Sequence, residues 1–385
     1  MGTDVTDANL DYFSNANRIV IKIGSALFVD PKSGALDRPW LQGLCKDVAA
    51  LTRAGKQVVL VSSGAVALGR RELDFDERRA ELEDNQAAAA AGQILLAHAY
   101  QEMLGQFGIK VAQVLLTLDD SESRRRYLNA SRTLLTLLRA GAVPVVNEND
   151  TVATQELRYG DNDRLAGRVA QMISADSLVL LSDVDGLYTG DPQTDAAAKH
   201  VPEVTDLSPA VVAMAGGPGS EHGSGGMRTK LDAARLAVNA GCRMVITSGR
   251  VMQPIRTMMQ GARTTWFLST ATPTAARKQW IAGTLKPKGS VAVDAGAARA
   301  LAEGRSLLPA GVTGVQGHFE RGDAVRVLAT GGEELGRGLI AYSSEESSAI
   351  AGSRSEAIEA VLGYRRRDEM IHRDDLVLTS ARQET

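Results

Sequence analysis

Asn147-Glu148-Asn149-Asp150-Thr151-Val152-Ala153-Thr154-Gln155-Glu156-Leu157-Arg158-Tyr159-Gly160-Asp161-Asn162-Asp163 is the stretch around which the chain is organised. Its seventeen positions hold three Asp, three Asn and two Glu against a single basic residue, so it is not core material. Asn, Asp and Gly are also the commonest turn formers, and a polar surface loop would share this composition. Position argues for more. The segment follows Ala142-Val143-Pro144-Val145-Val146, a short apolar run with strand character. It precedes an amphipathic helix carrying Leu165, Val169, Met172 and Ile173 at helical spacing, which Asp161 or Asn162 can cap. It therefore stands at the carboxyl end of a strand, where open α/β sheets bind ligands.

Upstream, strand and helix patterns alternate. Arg18-Ile19-Val20-Ile21-Lys22-Ile23 reads as a buried strand interrupted by one lysine. An unpaired charge in a core strand is costly, so Lys22 lies at the strand end facing a cleft or faces solvent, and the opening at Gly24-Ser25 favours the cleft. Asp37 caps a helix with Leu41, Leu44, Val48 and Leu51 on one face, closed by Gly55. The strand Gln57-Val58-Val59-Leu60-Val61-Ser62 runs into Ser63-Gly64-Ala65-Val66-Ala67-Leu68-Gly69. These small residues suit either an anion at a helix start or a tight strand–helix connection. An Ala-rich helix over 85–107, a strand Val111-Ala112-Gln113-Val114-Leu115-Leu116, a solvated excursion over 119–126 and a helix ending at Gly141 follow. This rhythm predicts an α/β fold, an open mostly parallel sheet with helices on both faces.

Downstream, Ser177-Leu178-Val179-Leu180-Leu181-Ser182 leads into Asp183-Val184-Asp185-Gly186-Leu187-Tyr188. The Asp-x-Asp-Gly order invites a calcium loop, but Pro192 stands where the bidentate Glu belongs. The glycine-rich residues 215–227, followed by Arg228-Thr229-Lys230, fit a linker or a mobile loop approaching phosphates, and they lack the Gly-Lys-Ser/Thr order of a Walker A loop. The chain divides on this reading into a disordered lead (1–17), an α/β domain (18–262), a linker (263–276) that opens with a short strand-like run Trp266-Phe267-Leu268, a small mainly-β domain (277–363) and a charged tail (364–385).

Composition bounds the rest. The 385 residues suffice for two or three domains, and 44% hydrophobic with 23% charged residues is a globular balance. A net charge of −3 gives no general affinity for nucleic acid or acidic membranes. Cys45 and Cys242 match no metal or redox spacing, which points to a reduced, cytoplasmic setting. No apolar run reaches bilayer length, and the polar start has no signal-peptide core. Met1-Gly2 with Thr6 fits a myristoylation pattern too short to weigh.

The five histidines are scattered, with no hydrolytic triad and no metal-ligand pairing. Two separated lysines near glycines and one dense carboxylate–amide cluster fit phosphoryl transfer to a carboxylate. Such an acceptor, with a reference pKa of about 4.3, is already ionised at neutral pH and needs no general base. The protein must instead bring two anions together, which calls for lysines, Mg²⁺ and helix termini. The acidic cluster can receive an ammonium group.

Taken in order, Ile21-Lys22-Ile23-Gly24-Ser25, Val61-Ser62-Ser63-Gly64-Ala65, Pro144-Val145-Val146-Asn147-Glu148-Asn149-Asp150, Gly160-Asp161-Asn162-Asp163, Asp183 with Gly186-Leu187-Tyr188, and Gly225-Gly226-Met227-Arg228-Thr229-Lys230 resemble the glutamate 5-kinases of the amino-acid kinase family. Ser306-Leu307-Leu308-Pro309-Ala310-Gly311-Val312 and Phe319-Glu320-Arg321-Gly322-Asp323 resemble a PUA domain. The resemblance implies ATP-dependent phosphorylation of the γ-carboxylate of glutamate, the first step of proline synthesis, with feedback inhibition by proline and a homo-oligomer (dimer or tetramer). It implies Lys22, Lys230 and Asp163 as catalytic residues, and Ser63, Gly64, Asp150, Asp161 and Asn162 as the glutamate site. For ATP it implies Lys22, Gly24, Ser25, Ser182, Asp183, Ser224, Gly225, Gly226, Met227, Arg228, Thr229 and Lys230, with Mg²⁺ carried on the nucleotide phosphates. Two positions depart from the common pattern: Ser182 where Thr is usual, and Arg158 where Lys is frequent. Residues 151–159 are expected to form a flap linking glutamate binding to inhibition. The alternatives are an aspartate, acetylglutamate or UMP kinase, or an RNA-binding protein through the PUA-like domain. Few basic residues near the acidic cluster disfavour a nucleotide acceptor, its surplus of carboxylates disfavours an acetylated amino acid, and the acidic balance disfavours RNA.

Overall fold

The computed structural model describes residues 12–30, 33–75, 81–152, 162–215, 226–283, 286–365 and 367–379. Its centre is an eight-stranded sheet. In chain order the strands are β1 (Arg18–Ile23), β2 (Gln57–Val61), β3 (Lys110–Leu116), β4 (Ala142–Glu148), β5 (Ser177–Ser182), then the two-residue β6 (Leu187–Tyr188), β7 (His200–Val201) and β8 (Glu203–Val204), and β9 (Arg243–Ser248) and β10 (Thr264–Phe267). The spatial order is β3-β4-β2-β1-β5-β9-β10-β8, with β6 and β7 forming a separate ribbon. β3, β4, β2, β1, β5 and β9 are mutually parallel, so all six end on one edge. β1 lies between β2 and β5. The chain builds the sheet outward on one side of β1 and then on the other, and that reversal leaves a crevice beyond the carboxyl ends.

Both faces are covered, so the central strands are apolar on both sides. Ile19, Ile21 and Ile23 pack on one face with Leu41, Leu44 and Val48 of the helix Arg38–Arg53, and with Leu96, Tyr100 and Met103 of the helix Leu82–Gly105. Val20 goes to the other face, with Leu165 and Val169 of the helix Asn162–Ile173 and Leu231 and Ala234 of the helix Met227–Asn239. Asp37 caps as expected, its carboxylate accepting from Trp40 N at 3.0 Å. Two glycines let helices nearly touch. A Cβ at Gly92 would sit 1.8 Å from Ala65 O, and one at Gly69 1.7 Å from Ala88 O, which locks the short helix Ala65–Glu72 against Leu82–Gly105.

Three segments differ from the sequence reading. The excursion over 119–126 is helical: Leu118–Glu122 opens on a Thr117–Asp120 capping box, and Arg124–Arg139 follows. In the linker over 263–276 the strand-like run at Trp266 is part of β10, antiparallel to β9, and the residues after it give the start of the helix Pro273–Gly283 instead of an irregular connection. The chain divides into two compact units at Pro273/Thr274. The second is a five-stranded sheet of order β12-β11-β13-β14-β15, comprising β11 (Gly289–Val293), β12 (Val312–Gly317), β13 (Ala324–Ala329), β14 (Glu334–Leu339) and β15 (Leu376–Leu378). Its last strand comes from the segment read as a tail, where Met370 and Ile371 are fully buried.

Candidate active site

Side chains alternate along a strand, so Lys22 shares the face of Val20 and points toward the two helices that cover it. Asp163 sits in the first turn of Asn162–Ile173, and Lys230 in the first turn of Met227–Asn239. The three meet. Lys22 Nζ lies 2.5 Å from Asp163 Oδ1, and Lys230 Nζ lies 3.2 Å from Oδ2. The Thr229 hydroxyl donates to the same Oδ2 at 3.0 Å. Lys22 is 8% exposed, Lys230 5% and Asp163 0%. Burial pushes the Asp163 carboxyl up, but the adjoining Lys22 and Lys230 ammonium groups outweigh it and hold it below the usual carboxylate range. One carboxylate shared by two ammonium groups leaves a net positive centre on the crevice floor, suited to an anion.

On the β2/β4 side, Asn162 Nδ2 donates to Ser63 Oγ at 2.8 Å and toward Asn147 Oδ1 at 3.4 Å, and Glu148 N donates to Asn147 Oδ1 at 2.9 Å. Among the described residues Asn147 Nδ2 and Asn162 Oδ1 are buried with no hydrogen-bond partner. Buried polar atoms are normally paired, so a donor and an acceptor left in this way suit a polar ligand. Asp150 follows in the turn Asp150–Val152, its carboxyl pushed up to about 6 by burial. Gly64 takes φ 92° at the start of the helix Ala65–Glu72, a left-handed conformation that favours glycine.

On the β5 side, the Ser182 hydroxyl donates to Asp183 Oδ1 at 3.0 Å, and Ser182 O accepts from Gly249 N at 2.7 Å. Gly226 caps the helix that carries Met227, Arg228, Thr229 and Lys230; Arg228 is exposed. Gly24 leads from β1 into the turn Ser25–Leu27 with φ −72° and ψ 141°, a conformation open to any residue. The structure thus brings Lys22, Asp163, Thr229 and Lys230 into direct contact, joins Ser63 to Asn162, and sets Ser182 and Asp183 across β1 from them. Asp161, Ser224, Gly225 and nearly all of the expected flap lie outside the described residues. Asn147 enters the site as an individual contact, whereas the sequence reading held it only as part of the polar wall.

Residues 17–248 match the amino acid kinase family and 289–362 match the PUA domain. Glutamate 5-kinase of Paramagnetospirillum magneticum is 61% identical over 94% of this chain and 98% of its own length. The chain belongs to the amino acid kinase family, among the glutamate 5-kinases. The Rhodospirillum rubrum glutamate 5-kinase is 58% identical over 94% of this chain and 96% of its own, and that of Rhizobium rhizogenes 56% over 94% and 93%. A crystal structure of UMP kinase from Ureaplasma parvum aligns at 15% identity with a TM-score of 0.47, covering 66% of this chain and 99% of that one. As an amino acid kinase the chain has the large, mostly parallel sheet of that fold, followed by a PUA domain.

Proposed function

We propose that this kinase transfers the γ-phosphoryl group of ATP to the γ-carboxylate of L-glutamate, yielding glutamyl 5-phosphate for proline synthesis. The observation that carries the reading is the buried Lys22–Asp163–Lys230 centre, set between a carboxylate–amide wall and the β5 loop, in a chain that resembles glutamate 5-kinases along nearly its whole length. A glutamate carboxylate oxygen attacks the γ-phosphorus, an O–P bond forms, and the bond to ADP breaks with its electron pair leaving on ADP. No proton need be removed from the nucleophile. Lys22 and Lys230 neutralise the negative charge gathered as two anions meet, and Asp163 holds both in place before substrate arrives. Asn147, Asp150, Asn162 and Ser63 receive the α-ammonium and α-carboxylate; Ser182, Asp183 and the start of the helix Met227–Asn239 receive the nucleotide.

Mg²⁺ supplies further charge neutralisation and enters with the nucleotide phosphates, because the oxygens of Asp163 already bind two ammonium groups and a hydroxyl. Inhibition by proline, assembly into a dimer or tetramer and a cytoplasmic location belong to the same proposal and rest on the resemblance. Among the described residues no helix is long and apolar enough to cross a membrane. The test is ADP formation with glutamate, aspartate, N-acetylglutamate or UMP as acceptor, with and without proline, alongside hydroxylamine trapping of the acyl phosphate that a carboxylate acceptor would form. Turnover with glutamate alone supports the reading; preference for another acceptor overturns it.

A further inference from the structure

The polar contacts of the acceptor side close into a ring that begins and ends on one helix. The hydroxyls of Tyr100 and Ser62 lie 3.0 Å apart, and both residues are fully buried. The next residue, Ser63, accepts from Asn162, whose amide also reaches Asn147; Asn147 in turn accepts from Glu148 N. Glu148 O then faces Gln93 Nε2 at 3.5 Å, and Gln93 Oε1 accepts from Gln113 at 3.1 Å. Tyr100 and Gln93 are two turns apart on one face of Leu82–Gly105. Immediately before Gln93, Gly92 brings that helix onto Ala65 O, just beyond Gly64. One rigid element therefore grips the end of β2, the end of β4 and the helix start between them.

We propose that Tyr100 and Gln93 are positioning residues for the amino-acid acceptor: through Ser62 and the Glu148 carbonyl they set the spacing of Ser63, Asn147 and Asn162. The nucleotide side has no part in the ring, because Ser182 and Asp183 are held by Gly249 N and Arg250 Nε. Loss of a ring contact is thus felt by one substrate only. This inference rests on the glutamate-kinase reading.

The test compares the wild-type enzyme with Tyr100→Phe, which keeps the aromatic side chain and removes one hydroxyl, and with Gln93→Met. KM for glutamate is expected to rise about 3- to 10-fold in each, the size of one lost hydrogen bond, with KM for ATP unchanged. Adding Ser62→Ala to Tyr100→Phe should not raise KM for glutamate further, since the two hydroxyls act as a pair. If Tyr100→Phe does not fold, Gln93→Met carries the same comparison. A merely structural role predicts lower thermal stability with neither KM moved, or both KM values raised together; either result overturns the inference. Absence of glutamate-dependent turnover in the wild-type enzyme would instead show that the functional reading itself fails, and the inference with it.

Discussion

Asp163→Asn removes the negative charge that two buried lysines share. The carboxylate is fully buried, with ammonium nitrogens at 2.5 and 3.2 Å. The variant keeps the shape but leaves Lys22 and Lys230 as neighbouring, poorly solvated like charges, and breaking a buried pair in this way costs about 3–5 kcal/mol. For a unit of this size that corresponds to a fall in Tm of about 10 °C. A nucleotide restores the missing negative charge. At about 100 times its Kd a ligand adds roughly 2.7 kcal/mol to a folded protein, and the Tm gain on adding ATP should be larger in the variant than in the wild type. The assay is thermal unfolding with and without ATP, beside steady-state kinetics. We expect kcat to fall by about 10²-fold or more as the lysines lose their fixed positions. An unchanged Tm without nucleotide, or an equal ATP gain in both proteins, would refute the reasoning.

Lys22→Ala should leave the fold intact and lower kcat by about 10²-fold; unchanged turnover would remove Lys22 from the reaction. Asp150 has its carboxyl pushed up to about 6, above the ordinary value of 3.8, so the ionised form that receives an ammonium group is gained as pH rises through about 6. Glutamate's own carboxylates titrate lower, near 4.3 and below. The wild-type kcat/KM for glutamate should therefore climb through that window, while Asp150→Asn has a raised KM and a flat profile there, as pH–rate measurements will show. Gly92→Ala would place a Cβ 1.8 Å from Ala65 O, and forced separation of the two helices should cost about 1–3 kcal/mol or more in urea unfolding.

What the sequence disclosed followed from how local its signals are. The apolar run of β1 with Lys22 near its end announced both a buried strand and a charge needing a partner. The period-two alternation then fixed which face Lys22 shares, although its partner Asp163 and the second lysine, Lys230, stand far along the chain and emerge only from the chain order of motifs. Small residues at 63–69 left two readings open, and the structure divides them: Gly64 is required by its backbone angle, and Gly69 by contact with Ala88. Tyr100 and Gln93 lay hidden in an Ala-rich helix, because a polar residue on an apolar face does not name its partner. β10 showed only as the short run Trp266-Phe267-Leu268, and the threonines on either side of it hid where it begins. The buried pair Met370-Ile371 was masked by flanking charges, and β15, a three-residue edge strand, has almost no period to detect.

The most direct test of the central claim is isotopic. Glutamate labelled with ¹⁸O in its γ-carboxylate is incubated with ATP and the enzyme, the glutamyl phosphate is allowed to cyclise, and the released phosphate is weighed by mass spectrometry. Attack by the carboxylate places one ¹⁸O in the bridging position, so each phosphate set free on cyclisation carries one ¹⁸O. Phosphate without label, released at the same rate whether or not glutamate is present, would contradict the account.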